Sequence, residues 1–288
     1  MAEIEAALVV KLRKMSGQGM MDCKKALEES NGNLEDAMTS LRKKGLATLA
    51  KRADKQASEG KVICVSSPNG KEAAMATLCC ETDFVAKTDA FVATADVMGD
   101  YLLACKAADG VENLLNTEKD GEKFSDVITE CVSKTGEKTE VGSFAKFKLE
   151  SAGSIATYVH FNGKIGVMVE CETSKQAVAD NEQFKLIGRD IAMHIAAINP
   201  ISLDSSGIAA DVVEREKAIA AEQVKSKPAN IIDKIVEGKM KKFFAENCLL
   251  SQGFVKDEKV SVEKVLTDTA KAAGGTAKIK RFVRFAIG

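Results

Sequence analysis

The 288-residue chain is 45% hydrophobic and 29% charged, with a net charge of −1. That supports a sizeable core and a length of about two domains, and it gives no overall bias toward nucleic acid or an anionic membrane. No apolar run approaches the ~20 residues of a membrane span. The start, MAEIEAALVV, has two acids and no basic residue, unlike a signal or transit peptide, so the cytoplasm is expected.

The first 45 residues have the periodicity of three short helices. Ile4, Ala7, Leu8 and Leu12 share one helical face. MSGQGMM interrupts the pattern with two glycines, and a second helix is predicted from near Asp22. Asn31-Gly32 is a turn, Asn33 can cap a third helix with Asp36 in the capping-box position, and Gly45 would end it. Leu34, Ala37, Met38 and Leu41 form its apolar stripe. Residues 46–60, rich in Ala and Lys, read as a partly helical linker.

From residue 60 the period changes to two. KVICVSSPNGKEAAMATLCC predicts strand, Asn-Gly turn, strand, and SIATYVHFNGKIGVMVECET repeats the pattern. Asn69-Gly70-Lys71 matches Asn162-Gly163-Lys164, and Cys80-Glu81-Thr82 matches Cys171-Glu172-Thr173. An amphipathic helix follows each copy, with Phe91, Ala95, Met98 and Leu102 on one face in the first and Phe184, Ile187, Ile191, His194 and Ile195 in the second. The fold class is therefore α+β, with two related units; the repeat reads as an internal duplication, the alternative being a chance match between two common Asn-Gly hairpins. After the shared Cys-Glu-Thr the copies diverge, DFVAKTDAF against SKQAVADNEQF. The fold does not demand Asp83-Phe84 at this turn. Phe84 is either an exposed anchor for a partner or a staple on its own sheet.

Residues 207–246 predict two helical arms divided by Ser226-Lys227-Pro228, with Pro228 placed to open the second. Ile208, Val212, Ile219 and Val224 line one arm; Ile231, Ile232, Ile235, Met240 and Phe243 line the other. Narrow stripes on charged helices fit an antiparallel hairpin with arms of roughly 25–30 Å, or else two ordinary surface helices. A helix around Val262, Val265, Leu266 and Thr269 and a final strand, AKIKRFVRFAIG, complete the second unit.

Chemistry is sparse. There is no phosphate-binding loop, dinucleotide fingerprint or nucleophile elbow. The eight cysteines include no C-x-x-C pair, and with two histidines no zinc site is expected. Cys79 and Cys80 point to opposite faces of a strand and have no adjacent cation to activate them. His194 reads as a hydrogen-bonded packing residue, and pairs such as Asp83 with Asp89 are too generic for acid–base work. The residues point away from an enzyme and call for no cofactor. The competing class is a small nucleic-acid-binding protein. Its basic face would be Lys24, Lys25, Arg42, Lys43, Lys44, Lys51 and Arg52, but Glu28, Glu29, Glu35 and Asp36 interleave with them.

Taken together, LRKMSGQGMMDCKKALEESNGNLEDA, CCETDFVAK, YVHFNGKIGV, DIAMHIAAINP and VEGKMKKFF resemble, in this order and over nearly the whole chain, elongation factor Ts, the nucleotide-exchange factor for elongation factor Tu. The resemblance implies an N-terminal three-helix, UBA-like module with linker at 1–55. It implies a core of two related subdomains with antiparallel sheets, at 56–140 and at 141–206 with 247–288, and an inserted coiled-coil hairpin at 207–246. It implies that Thr82, Asp83, Phe84, Val85, Ala86 and Lys87 form a loop whose Phe84 wedges into the GTPase domain of elongation factor Tu. The wedge would displace the elements holding magnesium and the phosphates, so that GDP leaves. Leu12 and Met20 would contact the same domain, and His160 another domain of the partner. Cys79 stands where the family usually has Asn or another small polar residue. Some members carry a further C-terminal helical segment that packs on the partner. The helical hairpin is left to contact either elongation factor Tu or a second copy of this chain, a homodimer within a larger complex.

Overall fold

The structure is a computed structural model that describes residues 4–225 and 228–288. Of the expected divider between the helical arms, Ser226 and Lys227 lie outside the described residues.

Three helices open the chain, α1 (Ala6–Ser16), α2 (Met20–Glu29) and α3 (Leu34–Lys51). Gly17, at φ 66°, ends α1 with its amide returned to the Arg13 carbonyl. The Asn33 carboxamide oxygen caps α3, accepting from the amides of Glu35 and Asp36, which satisfies two otherwise orphaned donors. Val9, Leu12, Cys23, Ala26, Leu27, Ala37 and Leu41 form the small core, with Ile4, Leu8, Leu34 and Met38 partly buried around it. Ala7, expected on the buried face, is exposed. The second helix starts at Met20, two residues before the expected Asp22.

The first hairpin is β1 (Glu59–Ser66) and β2 (Glu72–Cys80), turning at Asn69-Gly70. Gly70 has φ 67° and the Asn69 side chain accepts from the Lys71 amide, the conformation for which Asn-Gly is selected. Then come α4 (Asp89–Ala104), α5 (Val111–Leu115), β3 (Glu118–Lys119), β4 (Glu122–Lys123), α6 (Phe124–Thr135) and β5 (Thr139–Lys148). β5 pairs with β2, giving an antiparallel sheet in the order β1-β2-β5. The boundary expected between residues 140 and 141 falls inside β5, so the first sheet extends to Lys148.

The second hairpin is β6 (Gly153–Val159) and β7 (Ile165–Thr173), followed by α7 (Gln176–Ala179), α8 (Glu182–Ile198), α9 (Ala210–Glu222), α10 (Ala229–Asn247), β8 (Gly253–Phe254), β9 (Asp257–Ser261), α11 (Val262–Ala272) and β10 (Ala277–Ala286). β10 pairs with β7, giving the order β10-β7-β6. The duplication is thus complete in topology. Each unit runs hairpin, helix, two-stranded ribbon, helix and a third strand that pairs with the hairpin's second strand. α9 and α10 interrupt only the second unit, between α8 and β8.

The outer face of the first sheet carries α4 and α6 over a core of Leu78, Cys80, Phe91, Met98, Leu102 and Phe124. That of the second carries α8 and α11 over Val167, Val169, Phe184, Ile191, Ile195 and Leu266. The inner faces meet through Val62, Ala73, Met75, Cys79 and Phe147 against Met168 and Ile287, giving helix, sheet, sheet, helix. Cys79 and Cys80 do point into different layers. At Gly166 an added Cβ would lie 2.5 Å from Val62 and 2.7 Å from Met75, so the sheets need a bare backbone there. Arg281, in the β10 bulge, stacks 4.1 Å over Phe147 and reaches the buried Glu170 carboxylate at 2.7 Å.

The N-terminal helices are docked on the first unit. α3 continues six residues past Gly45 because that glycine lies against α6, where a Cβ would be 2.5 Å from the Thr129 carbonyl oxygen. Gly45 permits a close crossing and does not terminate the helix. The Ser133 hydroxyl donates to the Leu41 carbonyl across the same contact. α9 and α10 pack on each other through Ala220, Val224, Val236 and Met240, with Val213, Ile232, Ile235 and Phe243 alongside. Ile219 and Ile231, expected in the stripes, are exposed; Ala220 and Val236 take the buried positions.

Candidate functional site

β2 ends at Cys80, and the chain must turn from the sheet into α4. Thr82 fixes the turn: its amide and its hydroxyl both donate to the Glu137 carboxylate, at 3.1 and 3.0 Å, and its carbonyl accepts from the Ala86 amide at 3.2 Å. Val85, Ala86 and Lys87 form one turn of 3-10 helix, and Thr88 caps α4. Val85 and Ala86 are buried in the first core. Residue 84 is thereby forced outward, and the Phe84 side chain is 79% exposed. This excludes the staple: Phe84 makes no part of its own core.

Asp83 and Lys87 flank the ring and pair at 2.6 Å. The Lys87 hydrogen bond, with a smaller contribution from the Lys164 charge, holds the Asp83 carboxyl below the usual carboxylate range. Both groups are exposed, and such a pair adds little stability; it fixes charge beside Phe84.

The second unit delivers another aromatic to the same end. The β6–β7 tip places Phe161 92% exposed, its ring 4.4 Å from that of His160. His160 is half-buried, with Nδ1 2.9 Å from the Tyr158 hydroxyl. The tip is held against β1 by the Val62 amide, which donates to the Gly163 carbonyl at 2.7 Å, and by the 2.8 Å pair of Lys164 with Glu59. Glu59 is in register with Cys80, two residues before Thr82. The β6–β7 tip therefore lies against β1, close to where β2 leads into the Phe84 turn. Sequence reading selects His160 and misses Phe161; the available signal is a Phe in the turn position of an Asn-Gly hairpin, where no core is near.

The expected contact at Leu12 needs correction. Leu12 is fully buried in the three-helix core, so its side chain has no surface to offer. Met20 is exposed, and Met15 and Met21 are exposed with it. Unbranched, polarizable side chains suit an adaptable contact surface.

The remaining candidates fall into structural roles. Burial pushes the Cys64, Cys80 and Cys171 thiols up to about 12, leaving them unreactive at neutral pH. Lys24, Lys44, Arg42 and Arg52 pair with Glu28, Asp22, Glu122 and Glu81, so the expected basic face is a mixed one. His194 is fully buried; Nδ1 accepts from the Val255 amide at 3.1 Å and Nε2 lies 2.9 Å from the Gln252 carboxamide oxygen. An accepting Nδ1 requires the neutral ring, and burial lowers the pKa below 6.5. The unfolded chain then binds a proton that the fold excludes. Stability from this group is complete above the unfolded value and declines as pH falls below it, by at most ~1.4 kcal/mol per pH unit. Urea melts at pH 7.5 and 5.5 should show the loss, and His194→Gln should remove this step from the pH dependence.

The turn thus displays an exposed aromatic between an acid and a base. The family model for Elongation factor TS matches residues 81–288. The chain belongs to the elongation factor Ts family. It is 45% identical to Elongation factor Ts of a Nitratiruptor species, over 99% of this chain and 93% of that protein. It is 41% identical to that of Clostridium perfringens (strain SM101 / Type A), over 98% and 92%. The Trichlorobacter lovleyi protein of the same name is 39% identical, over 99% and 93%. Membership makes the chain a translation elongation factor and not an enzyme. Among the described residues no helix is long and apolar enough to cross a membrane.

Proposed function

We propose that this chain binds elongation factor Tu in its GDP form and accelerates GDP release by inserting Phe84 into the partner's GTPase domain. The observation that carries this reading is the 79% exposure of Phe84 on a turn whose neighbours Val85 and Ala86 are buried. A large ring held rigidly in water is costly to present without a partner and loses little entropy on docking. The wedge displaces the elements that hold magnesium and the phosphates. Thr82 and the Val85-Ala86 pair act as its base, and Asp83 and Lys87 face the pocket's rim.

The N-terminal helices, which we assign to the UBA-like class, meet the same GTPase domain through Met20 and its neighbours Met15 and Met21. The second unit grips another partner domain through His160 and Phe161. The division at 1–55, 56–148, 149–206 with 247–288, and 207–246 follows the two sheets, and we assign α9 and α10 to an antiparallel coiled-coil hairpin. The cytoplasm, where translation occurs, is the working compartment. The test is release of fluorescent GDP from elongation factor Tu. Wild type should speed release with a rate that saturates in its own concentration; release at the intrinsic rate throughout would defeat the reading.

A further inference from the structure

The two units supply an internal control for the Phe84 turn. Val85-Ala86 and Val178-Ala179 are buried alike, Thr88 and Asn181 cap the following helices alike, and Phe91 and Phe184 plug the two cores alike. What differs is the segment that closes each unit behind the turn. In the first, Gly136-Glu137-Lys138 links α6 to β5; in the second, Gly274-Gly275-Thr276 links α11 to β10. Gly136 and Gly274 share a positive φ, 73° and 78°, so the segments align residue for residue and Glu137 corresponds to Gly275.

At Gly275 no side chain fits, since a Cβ would lie 2.4 Å from the Ser174 hydroxyl and 2.6 Å from Val178. At Glu137 a carboxylate fills the equivalent place and accepts from the Thr82 amide and hydroxyl. Closing the sheet does not call for that carboxylate, because the second unit manages with the Ser174 amide donating to the Thr276 carbonyl and the Ser174 hydroxyl accepting from the Thr276 amide. The segment bearing Glu137 is fixed in turn. The Glu81 carboxylate accepts from the Lys138 amide at 2.7 Å and pairs with Arg52 at 2.6 Å, and the Lys138 ammonium donates to the carbonyls of Ala53 and Lys55. Those last three partners follow α3, so the N-terminal helices share the same platform.

We propose that Glu137 is the positioning residue for the Phe84 turn, holding Thr82 so that the ring is presented in one orientation. This rests on the exchange reading for its purpose and on the two-unit comparison for its geometry. Glu137 touches no partner group; it acts through Thr82.

Two measurements on the full-length chain test it. The first needs no partner: hydrogen exchange at the Thr82 amide. Glu137→Ala should speed it by roughly tenfold or more, a difference of about 1.4 kcal/mol, with β2 and β5 amides unchanged. Glu137→Gln, which keeps an acceptor oxygen, should restore most of the protection. The second is GDP release from elongation factor Tu. Glu137→Ala should lower the saturating rate while leaving the half-saturating concentration within about twofold, and Glu137→Gln should recover it. Phe84→Ala/Glu137→Ala should be no slower than Phe84→Ala, because residues acting as one unit are non-additive. An unchanged Thr82 amide in Glu137→Ala, or fully additive losses, overturns the positioning role. No acceleration by wild type overturns the exchange reading, and with it the purpose given to Glu137.

Discussion

Phe84→Ala should abolish most of the acceleration of GDP release and leave the protein as stable as before. The ring is exposed in the free chain, and surface substitutions away from packed features stay within about 0.5 kcal/mol. Phe91, seven residues on, is fully buried in the first core; truncating such a ring costs ~3–5 kcal/mol. Phe91→Ala should therefore melt far below wild type, while its GDP-release activity at low temperature is retained by whatever fraction remains folded. The two phenylalanines make a reciprocal pair, one committed to the partner and one to the fold. Burial of one ring contributes ~1.5–3 kcal/mol, which converts to roughly ten- to hundredfold in rate. A roughly ten-thousand-fold acceleration would need about 5.5 kcal/mol, so the Phe84→Ala protein should keep residual activity from the rest of the interface. Linkage then requires GDP to weaken binding of this chain by the same factor with which the chain weakens GDP. Titrating the complex with GDP, for wild type and Phe84→Ala, measures that factor directly. Equal factors for the two proteins would remove Phe84 from the mechanism.

The repeated hairpins are legible in the sequence because the Asn-Gly turn and the period of two leave few alternatives. The Phe84 turn is conspicuous only by comparison, since the second copy, aligned on its buried Val178-Ala179, supplies Gln176 and Ala177 where the first has Asp83 and Phe84. Other features resist reading, each for a physical reason. Leu12 and Met20 look alike as apolar residues of a small helical module, but only the packing of α2 and α3 decides that one is core and the other surface. Glu137 lies 55 residues from Thr82, and no local pattern joins a carboxylate to a turn at that separation. The end of the first unit is hidden because the pairing of β5 with β2 is a long-range event, and the residues at 139–148 alternate no more clearly than those of a surface loop. Gly45 has the preference of its residue type for helix ends, a propensity that tertiary contact overrides here.

That override gives the second large effect. Gly45 and Gly238 both sit inside helices, α3 and α10, and replacement of either by alanine should favour its helix by roughly 0.5–1 kcal/mol. At Gly238 nothing lies within 4 Å of the added Cβ, so Gly238→Ala should keep that gain and raise stability. At Gly45 the Cβ would be 2.5 Å from the Thr129 carbonyl oxygen, 3.0 Å from the Ser133 Cβ and 3.1 Å from the Thr129 Cγ2. None of these is the free end of a long side chain, so α3 must move away from α6. Overpacking of this kind costs about 1–3 kcal/mol, which outweighs the propensity gain, and the Ser133–Leu41 hydrogen bond is lost with it. Gly45→Ala should thus lower stability where Gly238→Ala raises it. The damage should be local, with faster proteolysis between α3 and β1 and intact protection of the two sheets. It should also reach the partner, because the helices bearing Met15, Met20 and Met21 would no longer be held at a fixed distance from Phe84. Affinity for elongation factor Tu should fall by roughly tenfold, the equivalent of about 1.4 kcal/mol, as measured by titration with the GDP-free partner. Unchanged affinity in an undocked Gly45→Ala protein would mean that the three helices play no part in the grip.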